Sequence, residues 1–256
     1  MTKVQIVLVD GMRPDAVLSC SNPYAKELIA KSLSTLDART VMPSVTLPCH
    51  MSLFHSVDPG RHGVTTNTFT PQVRPIDGIV EQIRPRTSAM FYNWEALTDL
   101  NRPGGKMMTK QFFSGSIYGY EKACEMTVKA SIDFINSNKP DFCFTYIGWP
   151  DEEGHAYGWM GEKYMHSVDV AFSQIKDIIE STPDEYMTIV IADHGGHERS
   201  HGTEMNEDML IPVIIYGKEV SPGVFDRPVS IKDIAPTVAK VLGCESAPEW
   251  EGTSLL

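Results

Sequence analysis

Val4-Gln5-Ile6-Val7-Leu8-Val9-Asp10-Gly11 is the stretch that decides the fold. Six residues without a charge, five of them aliphatic, run directly into an acid and a glycine. Such a run reads as a strand covered on both faces, as in a parallel sheet, and not as an alternating half-buried strand. Similar runs follow at residues 88–92, 142–147, 188–192 and 211–216. Helical patterns lie between them at 24–33, 120–135, 162–179 and 231–242, the last with Ile234, Val238, Val241 and Leu242 at helical spacing. Strand alternating with helix predicts an α/β sandwich around a central, mostly parallel sheet with helices on both faces.

Turn-rich segments, Asp58-Pro59-Gly60, Arg102-Pro103-Gly104-Gly105 and Ser221-Pro222-Gly223, punctuate this pattern without a long linker or an internal repeat. Residues 1–256 therefore read as one domain. Within it, residues 68–116 carry Pro71, Pro75, Pro85 and Pro103 and a cluster of aromatic rings, and are expected to form an edge of the substrate pocket. The 22 basic and 33 acidic side chains give a net charge of −11, which disfavours a nucleic-acid scaffold. No stretch approaches the ~20 apolar residues of a membrane span. Five scattered cysteines without a C-x-x-C spacing suggest neither a disulfide framework nor a thiolate zinc site, so the expectation is a reduced, cytoplasmic protein.

Ligands of doubly wound sheets gather outside the carboxyl ends of the strands. The residues found there are Asp10-Gly11, Pro150-Asp151-Glu152-Glu153-Gly154-His155, and Asp193-His194-Gly195-Gly196-His197, with His201-Gly202 shortly after. Asp10 alone would pass for a turn former. In conjunction, three strands deliver oxygen and imidazole donors to one rim. Asp151 and His155 stand four apart and share a face if that turn is helical, while Asp193 and His194 can diverge toward two ions or two sides of one. Such donors suit Zn²⁺ at ~2.0–2.2 Å, and Mn²⁺ or Fe²⁺ accept them too. Two sets suggest two divalent ions. Pro43-Ser44-Val45-Thr46-Leu47-Pro48-Cys49-His50 then leads into a helix-like stretch at 51–57. Thr46 at its mouth reads as an N-cap worth about 1 kcal/mol. The same place also sets peptide N–H groups beside an incoming phosphate, and a cation there would make the hydroxyl a nucleophile.

Val9-Asp10-Gly11, Pro43-x-x-Thr46-x-Pro48, His62-Gly63, Pro150-Asp151-x-x-Gly154-His155-x-x-Gly158 and Asp193-His194-Gly195 together resemble the alkaline phosphatase superfamily, within it the type I phosphodiesterase/nucleotide pyrophosphatase branch. The resemblance implies an alkaline phosphatase-like fold and a two-metal phosphoesterase acting on phosphodiester or pyrophosphate bonds of small substrates. It implies Thr46 as nucleophile, forming a phosphothreonine and bridging to a metal held by Asp10, Asp193 and His194. A second metal would be held by Asp151, His155 and His201. Asn67 would donate to a non-bridging phosphate oxygen, and Tyr146 would lie against the leaving group.

Several features set limits on this reading. His197 competes with His201, which is preferred because Gly202-Thr203 can turn its ring back to the rim. Leu47 stands where nucleotide-cleaving members often carry an aromatic residue. Sulfatases use a Cys or Ser at the nucleophile position, followed by Pro and Arg, and Thr46 departs from that. A phosphomonoesterase or phosphonate hydrolase of the same superfamily is the rival, with Lys106, Lys110 and Arg199 as candidate charge-binding groups. A non-catalytic metal-binding module is the alternative of another class. His50 and His55 read as packing residues, His62 as a loop former and His166 as a surface residue.

Overall fold

A computed structural model describes residues 2–102 and 107–256; Lys106 and turn residues 103–105 thus lie outside the described residues. Among the described residues eight strands form one sheet: β1 (Lys3–Val9), β2 (Leu33–Arg39), β3 (Ser88–Tyr92), β4 (Met107–Phe112), β5 (Phe142–Ile147), β6 (Tyr186–Ile191), β7 (Leu210–Tyr216) and β8 (Gly223–Val224). Their order is β4-β3-β5-β1-β6-β7-β2-β8. From β4 to β6 every pair is parallel, β7 runs antiparallel to both neighbours, and β2 pairs with β8 in parallel. The uncharged runs are the central strands: β5 and β6 are buried throughout, and β1 at every position after Lys3.

Register decides where the strands end. Val9 stands opposite Ile147 and Leu8 opposite Ile191, so β5, β1 and β6 end level with one another. Asp10, the turn before Asp151 and the turn before Asp193 therefore leave the sheet at a common rim. The helices pack in two groups on its faces. One contains Thr46–His55 and Ile234–Val241, the other Pro23–Ala30, Tyr120–Asn138, Trp149–Tyr157 and Glu162–Ser181. Thr46–His55 is buried at all ten positions, which is why it reads as apolar all round instead of amphipathic.

Some boundaries differ from the sequence reading. The helix expected at 24–33 stops at Ala30, where the Ser32 hydroxyl turns back onto the Leu28 carbonyl at 2.6 Å, and Leu33 opens β2. β2, β4 and β8 are additions to the expected strands. β2 carries Asp37 and Arg39 and has a register shift between Thr35 and Ala38, while β4 is half-exposed, so neither shows an uncharged run. Residues 68–116 supply β3 and β4, which extend the main sheet. No helix among the described residues is long and apolar enough to cross a membrane.

Candidate metal centre

Asp10, Asp193 and His194 meet where β1 and β6 end. His194 Nε2 lies 3.3 Å from Asp10 Oδ1 and 3.3 Å from Asp193 Oδ2. Its other nitrogen, Nδ1, lies 2.7 Å from the Gly195 carbonyl, which can only accept, so Nδ1 bears the proton and Nε2 presents a lone pair. A lone pair facing two carboxylate oxygens is an arrangement that a bound cation, or a proton on a carboxyl, makes favourable. Asp10 Oδ1, Asp151 Oδ1 and Asp193 Oδ2 are buried without any hydrogen-bond partner, as expected of oxygens that await a metal.

Asp151, His155 and His201 form the second group. Trp149–Tyr157 is helical, which puts Asp151 and His155 on one face, with His155 Nε2 3.6 Å from Asp151 Oδ2. His201 Nε2 is 3.8 Å from Asp151 Oδ1. Carbonyl acceptors again set the tautomers: His155 Nδ1 donates to Arg199 at 3.0 Å and His201 Nδ1 to Ser44 at 2.8 Å. The two Nε2 atoms thus face each other at 3.1 Å as bare acceptors. Asp151 belongs to both groups, since one of its oxygens also lies within 4.8 Å of ligand atoms of Asp10 and His194. Carboxylates with imidazoles are a donor set for zinc or a similar divalent ion.

Electrostatics point the same way. Burial, then the charge of Asp193, pushes Asp10 well above the usual carboxylate range, and burial, then Asp10, does the same to Asp151. Burial raises Asp193 to about 7. It lowers His194, and burial followed by the neighbouring His194 lowers His201 to about 3, so both imidazoles stay neutral.

Thr46 Oγ1 stands 3.1 Å from His194 Nε2. Val45 is the N-cap residue and Thr46 the first residue of the helix, so the expected N-cap role is replaced: the Thr46 hydroxyl turns to His194 Nε2, not to its own helix. Asn67 Oδ1 accepts from the Leu47 N–H at 3.0 Å, which leaves its Nδ2 protons for another acceptor next to Thr46. Tyr146 has a different place from the one expected. It is 2% exposed beneath the rim and its hydroxyl donates to Asp10 Oδ2, so it braces that carboxylate instead of offering a stacking surface.

His201 takes the place in the second group, whereas His197 Nδ1 binds the buried Asp208 at 2.7 Å and braces the loop. Gly202 adopts φ +108 in the turn after His201. His62 ties Ser52 to the Val64 N–H at 3.1 Å each, a loop role. Of the candidate cations, Lys110 is committed to the Thr98 carbonyl at 2.6 Å, and Arg199 is exposed beside the His155 contact.

Sequence reasoning missed the supports. Gly11 adopts φ +66, and a Cβ there would stand 3.0 Å from Asp151 Oδ1; its carbonyl accepts from Trp159 Nε1 at 3.0 Å and the Tyr164 hydroxyl at 2.9 Å. The Trp159 ring lies edge-on to His155 at 5.0 Å, and a Cβ on Gly196 would come within 2.2 Å of that ring. Pairing of Asp10 with glycine was a visible signal. The backbone carbonyls that orient the three imidazoles leave none.

A family model described as the metalloenzyme superfamily matches residues 103–246, more than half of the chain, and one described as type I phosphodiesterase/nucleotide pyrophosphatase matches residues 4–89. Among curated proteins, a 2,3-bisphosphoglycerate-independent phosphoglycerate mutase of Bacteroides thetaiotaomicron is 32% identical over 133 residues, 49% of this chain and 25% of that protein. A phosphopentomutase of Helicobacter acinonychis is 26% identical over 137 residues, 53% of this chain and 31% of that protein. The matched segments thus span only a quarter to a third of these relatives. Among solved structures, murine ectonucleotide pyrophosphatase/phosphodiesterase 5 bound to AMP superposes with a TM-score of 0.78 at 12% identity, covering 97% of this chain and 96% of that one. A phosphonate monoester hydrolase of Silicibacter pomeroyi gives 0.72 at 15% identity, covering 100% and 76%, and a 2-O glycosaminoglycan sulfatase gives 0.76 at 14%, covering 99% and 73%. These likenesses show a shared fold. With family models that cover both ends of the candidate centre, the chain belongs to the metalloenzyme superfamily, on the fold of the alkaline phosphatase superfamily.

Proposed function

We propose that the chain is a two-metal phosphoesterase that hydrolyses phosphodiester or pyrophosphate bonds of small substrates through a phosphothreonine at Thr46. The observation that carries this reading is the approach of Thr46 Oγ1 to His194 Nε2 at 3.1 Å, in a space also faced by unpartnered carboxylate oxygens. Asp10, Asp193 and His194 with Thr46 would hold one divalent ion and Asp151, His155 and His201 the other, zinc being the first choice for these donors. Bound there, two such ions supply Lewis-acid charge to a phosphoryl group and lower the pKa of a neighbouring hydroxyl.

The chain's own residues do the rest. Thr46 Oγ1 attacks phosphorus and releases its proton to solvent, the P–O bond to the leaving group breaks and the leaving oxygen takes up a proton from solvent, and water then cleaves the Oγ1–P bond, its proton restoring the Thr46 hydroxyl. Asn67, its Oδ1 held by Leu47, turns Nδ2 toward a non-bridging oxygen. The first turn of Thr46–His55 adds the positive end of a ten-residue helix. Tyr146 fixes Asp10 from below. A second reading, phosphoryl transfer to another hydroxyl instead of to water, is favoured by the mutase relatives.

The test is direct. Thr46→Ala should abolish turnover while elemental analysis still finds about two metals per chain, and unchanged turnover removes Thr46 from the mechanism. Bis-(p-nitrophenyl) phosphate should turn over faster than p-nitrophenyl phosphate; the reverse ranking favours a monoesterase. Phosphate appearing on a sugar hydroxyl without free phosphate favours transfer.

A further inference from the structure

We propose that His50 is a positioning residue of this reaction, a buried donor whose single proton ties the backbone of Thr46 to the carboxylate of Asp193. The inference rests on the phosphoesterase reading above and assigns to its site a residue that the sequence presents as packing. His50 sits one helical turn after Thr46 and is fully buried. Its Nδ1 lies 2.8 Å from the Thr46 carbonyl oxygen. A carbonyl only accepts, so the proton is on Nδ1 and Nε2 is a lone pair. The same Nδ1 lies 3.4 Å from Asp193 Oδ2, one of the oxygens without a hydrogen-bond partner.

Packing alone does not explain an imidazole here. Nε2 has no partner at all, and the rings of Phe144 and Tyr146 pack steeply against the imidazole, with centroids 6.1 and 5.5 Å from its own. A phenylalanine would fill that half without burying an unsatisfied nitrogen, so the reason for histidine lies at Nδ1. His55, further along the same helix, makes the same bond to the Met51 carbonyl at 3.0 Å, so the bond to the preceding turn is a habit of this helix. What sets His50 apart is the carboxylate on one side and the unpartnered nitrogen on the other. Asp193 Oδ1 accepts from the Gly11 N–H at 3.3 Å, which leaves Oδ2 facing His50 Nδ1. Nucleophile and carboxylate, 147 positions apart in sequence, thus stand on either side of one imidazole nitrogen.

His50→Asn, His50→Gln and His50→Leu test this on the full chain reconstituted with Co²⁺. The asparagine amide nitrogen falls near the place of Nδ1, the glutamine one near Nε2, and leucine offers neither. His50→Asn should keep the native Co²⁺ visible bands and kcat within about tenfold, whereas Gln and Leu should shift the bands and lower kcat by about 10–100-fold at unchanged KM. Gln and Leu variants with native bands and native kcat overturn the proposal. If those two fail to fold, the Asn variant decides: retained bands and turnover support it, and a folded Asn variant lacking both overturns it. A native chain that takes up no Co²⁺, or an active Thr46→Ala variant, defeats the phosphoesterase reading itself and is seen before any His50 variant is made.

Discussion

The two halves of the candidate centre use the same donors in opposite surroundings. In the inner half, His194 and Asp193 have fully buried side chains and Asp10 is 2% exposed. In the outer half His155 is 42% exposed, Asp151 15% and His201 7%. Inner ligands stand at the ends of central strands, and outer ones on a helix and a loop laid over the rim. Water can solvate part of the outer group when it holds no ion, but the inner group has only protons or a metal to balance it.

That contrast can be broken by experiment. His194→Ala should lower kcat/KM by about 10³-fold or more and should not recover in excess metal, because the lost donor is inaccessible to solvent. His155→Ala should cost about 10²-fold and recover partly in excess metal, since water can take its position; equal losses in the two variants would erase the distinction. Chelation should remove metal in two steps, outer before inner, each step followed by elemental analysis and thermal unfolding. An ion at a hundred times its Kd contributes about 2.7 kcal/mol, or roughly 5–10 °C in Tm for a chain of this size.

The smallest effect is on pH. Asp193 is raised from 3.8 to about 7 without a cation, so the metal-free fold holds a proton that the unfolded chain releases. Its contribution to stability is complete below 3.8 and lost as pH rises through 7, by at most about 1.4 kcal/mol per pH unit. Metal affinity moves the opposite way, falling as pH drops below 7 and the proton competes. The Tm difference between metal-loaded and metal-free protein should therefore widen from pH 5 to pH 8; a constant gap would mean that Asp193 is ionised in both.

Legibility in the sequence depends on whether chemistry or geometry carries a feature. β1, β5 and β6 are readable because complete burial forbids charge, and the acids at their ends stand out against that background. His201 can be preferred to His197 because the following glycine permits the turn that the structure shows. β2 and β4 are not readable, because strands near a sheet edge alternate and bulge and so resemble loops. Tyr146 lies on the other side of the rim from the one expected: spacing along a strand gives its end but not the face of the neighbour it meets. The carbonyls of Gly195, Ser44 and Arg199, which fix the imidazole tautomers, belong to residues whose side chains have no part in the site, so the side-chain sequence conceals them.

Asp151 reaches both donor groups. Whichever cation bound first would displace its proton, so the second would meet a carboxylate already ionised, and the coupling free energy is the same in either order of filling. Two ions on this rim would bind with linked affinities even though they leave one after the other, and a single Asp151→Asn change would uncouple them while leaving each with most of its own ligands.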